Sequence, residues 1–380
     1  MKLTGTWLTR KETQAVCAML TGAGYLALLV GGCVRNALLD APVADIDITT
    51  DAPPDRVMAL AGAAGLKPVP TGIDHGTITV IAGGRPHEVT TLRRDVETHG
   101  RRATVAWSDD VAEDAARRDF TMNALYARPD GTVIDPLGGL PDLKARRVRF
   151  VGAPADRIHE DYLRILRFFR FHAWYGDPAG GLDPDGLAAC AEGAEGIARL
   201  SRERIGAEMR KLLAAPDPAP AVAAMAASGV LAQALPGADA RTLPILIHLE
   251  DGASPDWRRR LAALGGSDPS AALRLSRKDA RRVALLRSEA EAGRRAAELG
   301  YRHGEGVAAD IVLVRAALLE TPPPPGWQAA AGRGARARFP LRAADLMARF
   351  KGPELGAELR KREARWIASD FTLTRDQLLT

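Results

Sequence analysis

A glycine pair, an arginine and two aspartates give this chain its chemistry. Gly31-Gly32-Cys33-Val34-Arg35 is followed by Asp45-Ile46-Asp47. The first stretch reads as a turn leaving a strand and opening a helix, the second as part of a strand over Ala44 to Thr50. Residues i and i+2 on a strand share a face, so Asp45 and Asp47 can aim their oxygens at one point. Two anionic oxygen ligands suit Mg²⁺, which shares its coordination shell with substrate phosphates. The Gly31-Gly32 turn lets backbone approach a phosphate closely, and Arg35 adds charge on the adjacent helix. An isolated Asp-x-Asp fits two ordinary solvent-facing residues equally well. The glycine turn and arginine before it favour a metal-held nucleoside triphosphate.

Two further clusters extend the pattern. Arg117-Arg118-Asp119-Phe120-Thr121-Met122-Asn123 sets paired guanidiniums beside a carboxylate and an amide, groups suited to a triphosphate and a ribose. The same stretch also suits a plain helix end with Phe120 in the core. In Glu160-Asp161-Tyr162-Leu163-Arg164, continuing to Arg167 and Arg170, charge recurs at every third residue. On a helix this makes a drifting stripe of neighbours, and such a stripe also serves amphipathic helices with surface ion pairs. Cytosine and adenine present an amine donor beside a ring-nitrogen acceptor, whereas uracil and guanine present the reverse. Asp161 beside Arg164 offers an acceptor and a donor, a match to C or A that leaves U or G unpaired.

These clusters need a scaffold. Residues 8–23 predict a helix, Tyr25 to Val30 a buried strand, Pro53 to Ala64 a helix, and Thr77 to Ile81 and His87 to Leu92 strands joined at Gly83-Gly84. Residues 93–108 are charged and aperiodic, which predicts a mobile loop. A helix follows from about Asp109, then a hairpin around Pro129-Asp130-Gly131. Beyond about residue 155 helices dominate, broken at Pro216-Asp217-Pro218 and by the prolines at 322–325. Gly352-Pro353-Glu354-Leu355-Gly356 opens a helix rich in Arg and Lys, suited to RNA phosphates or to a simple helix start.

The 380 residues carry a net charge of +5 and are 46% hydrophobic, enough for a sizeable core and permissive of a polyanionic partner. Three scattered cysteines, Cys17, Cys33 and Cys190, have no zinc or disulfide spacing, which favours a reducing cytoplasm. The opening residues lack a signal pattern and no apolar run is long enough for a bilayer, so no membrane is expected.

In this order the three clusters resemble the class II CCA-adding enzymes and bacterial poly(A) polymerases, of the DNA polymerase β-like nucleotidyltransferase superfamily. The family's Gly-Gly-x-Val-Arg-Asp appears as Gly31 to Asn36, with Asn36 in place of the usual aspartate, a position that would orient the turn. Its Asp-x-Asp matches Asp45 and Asp47, its Arg-Arg-Asp-x-Thr-x-Asn-Ala residues 117–124, and its Glu-Asp-x-x-Arg template Glu160, Asp161 and Arg164. The similarity runs over residues 24–210.

The resemblance implies an α+β fold: a palm-like nucleotidyltransferase head with a small mixed sheet (1–150), a helical base-reading neck (151–215), and a helical RNA-binding body and tail (216–380). It implies catalytic Mg²⁺ on Asp45 and Asp47, with Glu88 as a third acid. Gly31, Gly32, Arg35, Arg117, Arg118, Asp119 and Asn123 would hold the nucleotide, and Asp161, Arg164, Arg167 and Arg170 would read its base. Segment 93–108, with Arg101 and Arg102, falls where the family has its C-to-A switching loop. The implied reaction adds CCA to the 3′ end of tRNA from CTP and ATP without a nucleic-acid template. Poly(A) synthesis, and addition of CC or A alone, remain the alternatives.

Overall fold

Buried aliphatic strands at the centre of a sheet fix the position of the glycine turn and the aspartates. The computed structural model describes residues 1–99 and 102–380. The strands are β1 (Leu28–Val30), β2 (Asp47–Thr50), β3 (Lys67–Gly72), β4 (Thr77–Ala82), β5 (Arg85–Thr91), β6 (Arg93–His99), β7 (Arg102–Trp107), β8 (Tyr126–Ala127) and β9 (Val133–Ile134). Seven of them form one sheet in the order β3-β4-β5-β2-β1-β8-β9. β2 and β5 run parallel, and the other neighbours are antiparallel. Leu29 and Ile48, partners across β1 and β2, are fully buried. This is the mixed sheet that the resemblance implied.

Four details differ from expectation. The helix over 8–23 is two, α1 (Thr6–Thr9) and α2 (Lys11–Thr21), because Arg10 adopts an extended conformation between them. β2 starts at Asp47, so Asp45 lies just before the strand, exposed. β3 occupies a stretch for which no element was expected, and its Pro68 and Pro70 are tolerated because β3 is an edge, where missing N–H donors cost little. The predicted loop at 93–108 contains an antiparallel pair, β6 with β7, standing apart from the main sheet. β6 carries Arg93, Arg94, Asp95 and Glu97 along its length, a charge density that reads as loop. Arg102 opens β7, and Arg101 lies outside the described residues.

The helices that build the site follow in chain order. α3 (Gly32–Leu38) leaves β1, and α4 (Pro54–Ala63) carries its proline in the first turn. α5 (Val111–Ala116) is capped by Asp110, and α6 (Leu140–Lys144) follows the hairpin β8–β9. α7 (Pro154–Glu160) and α8 (Leu163–Tyr175) are separated at Asp161; α9 (Pro184–Glu192) and α10 (Arg202–Leu213) come next. An aromatic joint holds α8 to the sheet side. Phe120 packs 5.0 Å from both Phe150 and Phe171, and Phe150 stacks on Phe168 at 5.4 Å. Each fully buried ring contributes roughly 1.5–3 kcal/mol, so this joint resists sliding of α8.

The chain divides into two compact units, Met1–Ala234 and Leu235–Thr380. The first extends beyond residue 215 because α11 (Ala219–Ala227) packs on α8, and α12 (Val230–Ala234) packs on the 3₁₀ turn Ala194–Arg199. The second unit is helical. Its helices Thr242–Glu250, Trp257–Leu264 and Glu305–Leu319 share buried ion pairs: Arg259 bonds Glu250 and Asp310, each at 2.8 Å, and Arg260 bonds Glu250 at 2.7 Å. Leu341, Trp366 and Leu378 form a separate core near the C-terminus. Among the described residues no helix is long and apolar enough to cross a membrane.

All three cysteines are free and buried. Burial pushes the Cys17 thiol up to about 12 and the Cys33 thiol up to about 11, and it raises Cys190 further still. The thiolate is the reactive form. We therefore expect the native protein to take up no iodoacetamide at pH 8 over hours, and three equivalents once unfolded in guanidinium. Modification of native protein, read by intact mass, would show that a thiol is accessible.

Candidate active site

The glycine turn is built as the sequence suggested. Gly31 has φ 68 and ψ −120, a conformation that favours glycine, and its N–H donates to Leu125 O at 3.2 Å. A methyl group there would stand 3.4 Å from Arg118 Nη1, which places that guanidinium against the turn.

Arg35 is 7% exposed and acts as a hub. Its Nε and Nη2 donate to Asn36 Oδ1 at 3.1 and 2.9 Å, its Nη2 also donates to Tyr175 Oη at 2.9 Å, and its Nη1 donates to Asn123 Oδ1. The guanidinium also lies 4.0 Å from the Tyr175 ring centroid. Asn36 thus holds Arg35 with its oxygen, while its amide donates to Pro42 O at 2.8 Å. The substitution of asparagine for aspartate keeps the acceptor that matters here.

Asp47 and Glu88 face each other in the parallel register of β2 and β5. Burial pushes the Asp47 carboxyl up to about 6, with Glu88 and Asp45 adding to the rise and Arg118 and Arg35 opposing it. Crowded, partly desolvated carboxylate oxygens are a donor set that a hard divalent cation relieves. Asp45 and Asp47 are oxygen donors of the type that a divalent cation would take. Glu88 does not complete a cluster: among the described residues, no three His, Cys, Asp or Glu side chains come together as a metal site.

Arg117 and Arg118 share one fully buried carboxylate, Asp114. Arg117 Nε donates to Asp114 Oδ1 at 2.9 Å, Arg118 Nη2 to Oδ2 at 3.0 Å, and Tyr126 Oη to Oδ2 at 2.8 Å. Burial alone would raise Asp114; the charges of Arg118 and Arg117 outweigh it and hold the carboxyl below its usual range. Next in the chain, Asp119 Oδ1 accepts from Asn123 Nδ2 and from the Phe120 N–H, each at 2.9 Å. Its Oδ2 accepts from Arg167 Nε at 2.8 Å and also from Nη2. A continuous path thus runs from Arg35 through Asn123 and Asp119 to Arg167 on α8.

The stretch expected to read the base is not one helix. Asp161 is extended (φ −155, ψ 105) between α7 and α8, and its Oδ1 accepts from the Leu163 N–H at 3.1 Å. Short carboxylates compete with the helix in this way, so only Arg164, Arg167 and Arg170 share α8. The Arg164 backbone N–H donates to Asp161 O at 3.0 Å, but the two side chains take other partners. Arg164 Nη1 donates to Glu160 at 2.5 Å and to Arg157 O at 2.9 Å, while Asp161 Oδ2 accepts from Arg204 Nη2 at 2.6 Å. Arg170 Nε donates to Glu208 on α10 at 2.5 Å.

Known proteins match this arrangement. A family profile described as the poly A polymerase head domain matches residues 27–149, and one described as a probable RNA and SrmB-binding site of polymerase A matches 181–241. The mitochondrial CCA tRNA nucleotidyltransferase 1 of Homo sapiens is 45% identical over 186 residues, 49% of this chain and 43% of that protein. The CCA-adding enzyme of Geobacillus thermodenitrificans is 39% identical over 255 residues, 67% of this chain and 58% of that protein. The chain thus aligns with about half the length of these curated relatives. The crystal structure of Bacillus stearothermophilus CCA-adding enzyme in complex with CTP superposes with a TM-score of 0.75 and 29% identity, covering 95% of this chain and 93% of that one. Residues 27–149 and 181–241 of this chain thus carry the head and RNA-binding domains of the poly A polymerase family.

Sequence reasoning missed several residues that hold the site. Asp114 had a visible signal, since it precedes Arg117 and Arg118 by three and four residues. Tyr175 lies 140 residues from Arg35 and Glu208 lies 38 from Arg170, and such separations leave no local pattern.

Burial alone would raise Asp119, but the charge of Arg167 and the Asn123 and Phe120 hydrogen bonds outweigh it and hold the carboxyl at about 2. A carboxyl depressed in the folded state stabilises above the unfolded value near 4, and that stability is lost as pH falls toward 2. The shift corresponds to about 2 kcal/mol. In urea unfolding, Asp119→Asn should be less stable than the parent at pH 6, with a gap that closes toward pH 2. A gap independent of pH would contradict this pairing.

Proposed function

We propose that the chain adds CCA to the 3′ end of tRNA from CTP and ATP, without a nucleic-acid template and with Mg²⁺. The observation that carries this reading is the path Arg35–Asn123–Asp119–Arg167, which joins the glycine turn beside the aspartates to the helix assigned to base reading. The similarity to a CCA-adding enzyme solved with CTP supports it.

In this reading Asp45 and Asp47 would hold Mg²⁺, which would supply positive charge for activating the 3′ hydroxyl, and a second ion would offset the charge of the departing pyrophosphate. Gly31, Gly32 and Arg35 receive the triphosphate, and Arg118, fixed by Asp114, lies against the same turn. Arg117, Asp119 and Asn123 hold the floor of the site. Arg164, Arg167 and Arg170 form the donor side of the base reader and Asp161 its acceptor. Glu88, opposite Asp47, adds negative charge beside the metal ligands. The protein's main contribution is position and charge, as phosphoryl transfer requires. Residues 151–215 are assigned as the neck and 216–380 as the RNA-binding body and tail. The three free thiols suit a reducing compartment, and we place the protein in the cytoplasm.

The polymerase A profiles favour one second reading, poly(A) synthesis. Product length separates the two. Given tRNA lacking its terminal CCA, CTP alone should add two nucleotides, and CTP with ATP should add three and then stop. Long A tracts would establish poly(A) synthesis, and a product halting at CC or needing preformed CC would show a partial enzyme. Asp47→Ala should lower incorporation at least 1,000-fold while the tRNA gel shift persists. Turnover within tenfold of the parent would contradict the metal role.

A further inference from the structure

The Asp161 carboxylate is gripped from two sides. The Leu163 N–H holds Oδ1 at 3.1 Å, and Arg204 Nη2 holds Oδ2 at 2.6 Å. Arg204 stands on α10, which packs along α8. Four residues on, and so on the same face of α10, Glu208 accepts from Arg170 and lies 4.0 Å from Arg167. One face of one helix therefore holds both the acceptor and the later donors assigned to base reading.

The two partners differ in setting. Glu208 is buried. The Arg204–Asp161 pair is not: the side chains are 23% and 25% exposed. An ion pair this wet adds little to stability. What it does supply is orientation, because a carboxylate bound at one oxygen by a guanidinium and at the other by a backbone N–H has lost its rotation.

We propose that Arg204 is a specificity-determining positioning residue: it fixes the Asp161 carboxylate so that a base amine, and not a base carbonyl, meets it. The Asp161 carboxylate takes Arg204, and not Arg164, as its guanidinium partner. Cytosine and adenine then gain a hydrogen bond, while uracil and guanine bring carbonyl oxygen against carboxylate oxygen. Discrimination of this kind depends on the fixed geometry of the rejecting group. The inference rests on the proposed function only in taking the incoming ligand as a nucleoside triphosphate.

Equilibrium binding of CTP, UTP and inorganic triphosphate to the full chain tests it without requiring turnover. The parent should prefer CTP to UTP. Arg204→Gln should reduce that preference at least tenfold, and Arg204→Lys should restore part of it. Triphosphate affinity should hold within twofold in both variants. Arg202→Ala, an exposed position on the same helix, should match the parent. A preference unchanged in both Arg204 variants would overturn the proposal. So would an equal loss of all three ligands, which is what a purely structural role gives, or a parent that does not distinguish CTP from UTP. A parent that prefers CTP yet extends no tRNA would sink the proposed reaction and leave this inference standing.

Discussion

The Asp119 carboxylate accepts hydrogen bonds from Asn123, from the Phe120 backbone and from Arg167. Through Asn123 it reaches Arg35 and the glycine turn, and through Arg167 it reaches α8. A buried carboxylate is costly unless its oxygens are satisfied, and removing one partner leaves the others exposed to that cost. The distance between the glycine turn and α8 is therefore set by a group that cannot relax alone.

Packing makes the same connection by other means. Phe120, next in the chain to Asp119, sits among Phe150, Phe168 and Phe171. The Arg35 and Arg167 guanidiniums each lie 5.2 Å from the Phe171 ring centroid. The aromatic joint excludes water from one side of the network, and the network fixes the register in which the rings meet. Rigid placement of this kind matters for a transfer reaction whose protein contribution is position and charge. Asp114 repeats the device for Arg117 and Arg118, and Glu208 repeats it for Arg170.

Much of this was legible in sequence because it is local. Gly31 marks a positive φ, Asp45 and Asp47 flank a buried Ile46, and Arg117 to Asn123 form a contiguous motif. The buried runs of β1 and β2 and the alternation of β4 show their strands directly. What was hidden depends on tertiary partners. Two prolines masked β3, whose edge position permits them. The charge along β6 hides that strand from a reading by hydrophobic period. The three-residue spacing from Asp161 to Arg170 suggested one helix, but the Asp161 side chain takes the Leu163 N–H and ends it. Arg204 and Tyr175 carry no local mark at all, since their roles exist only once α8 and α10 have folded against the head.

The most direct test of the central network is a double-mutant cycle on the unliganded protein, pairing Asn123→Ala with Arg167→Gln. These side chains both bond Asp119, from different elements. If Asp119 is the shared node, the two unfolding free-energy changes in urea should fail to add, with a coupling of about 1 kcal/mol or more. Additivity within about 0.3 kcal/mol would mean that the turn and the helix are held independently, and would contradict a common anchor at Asp119.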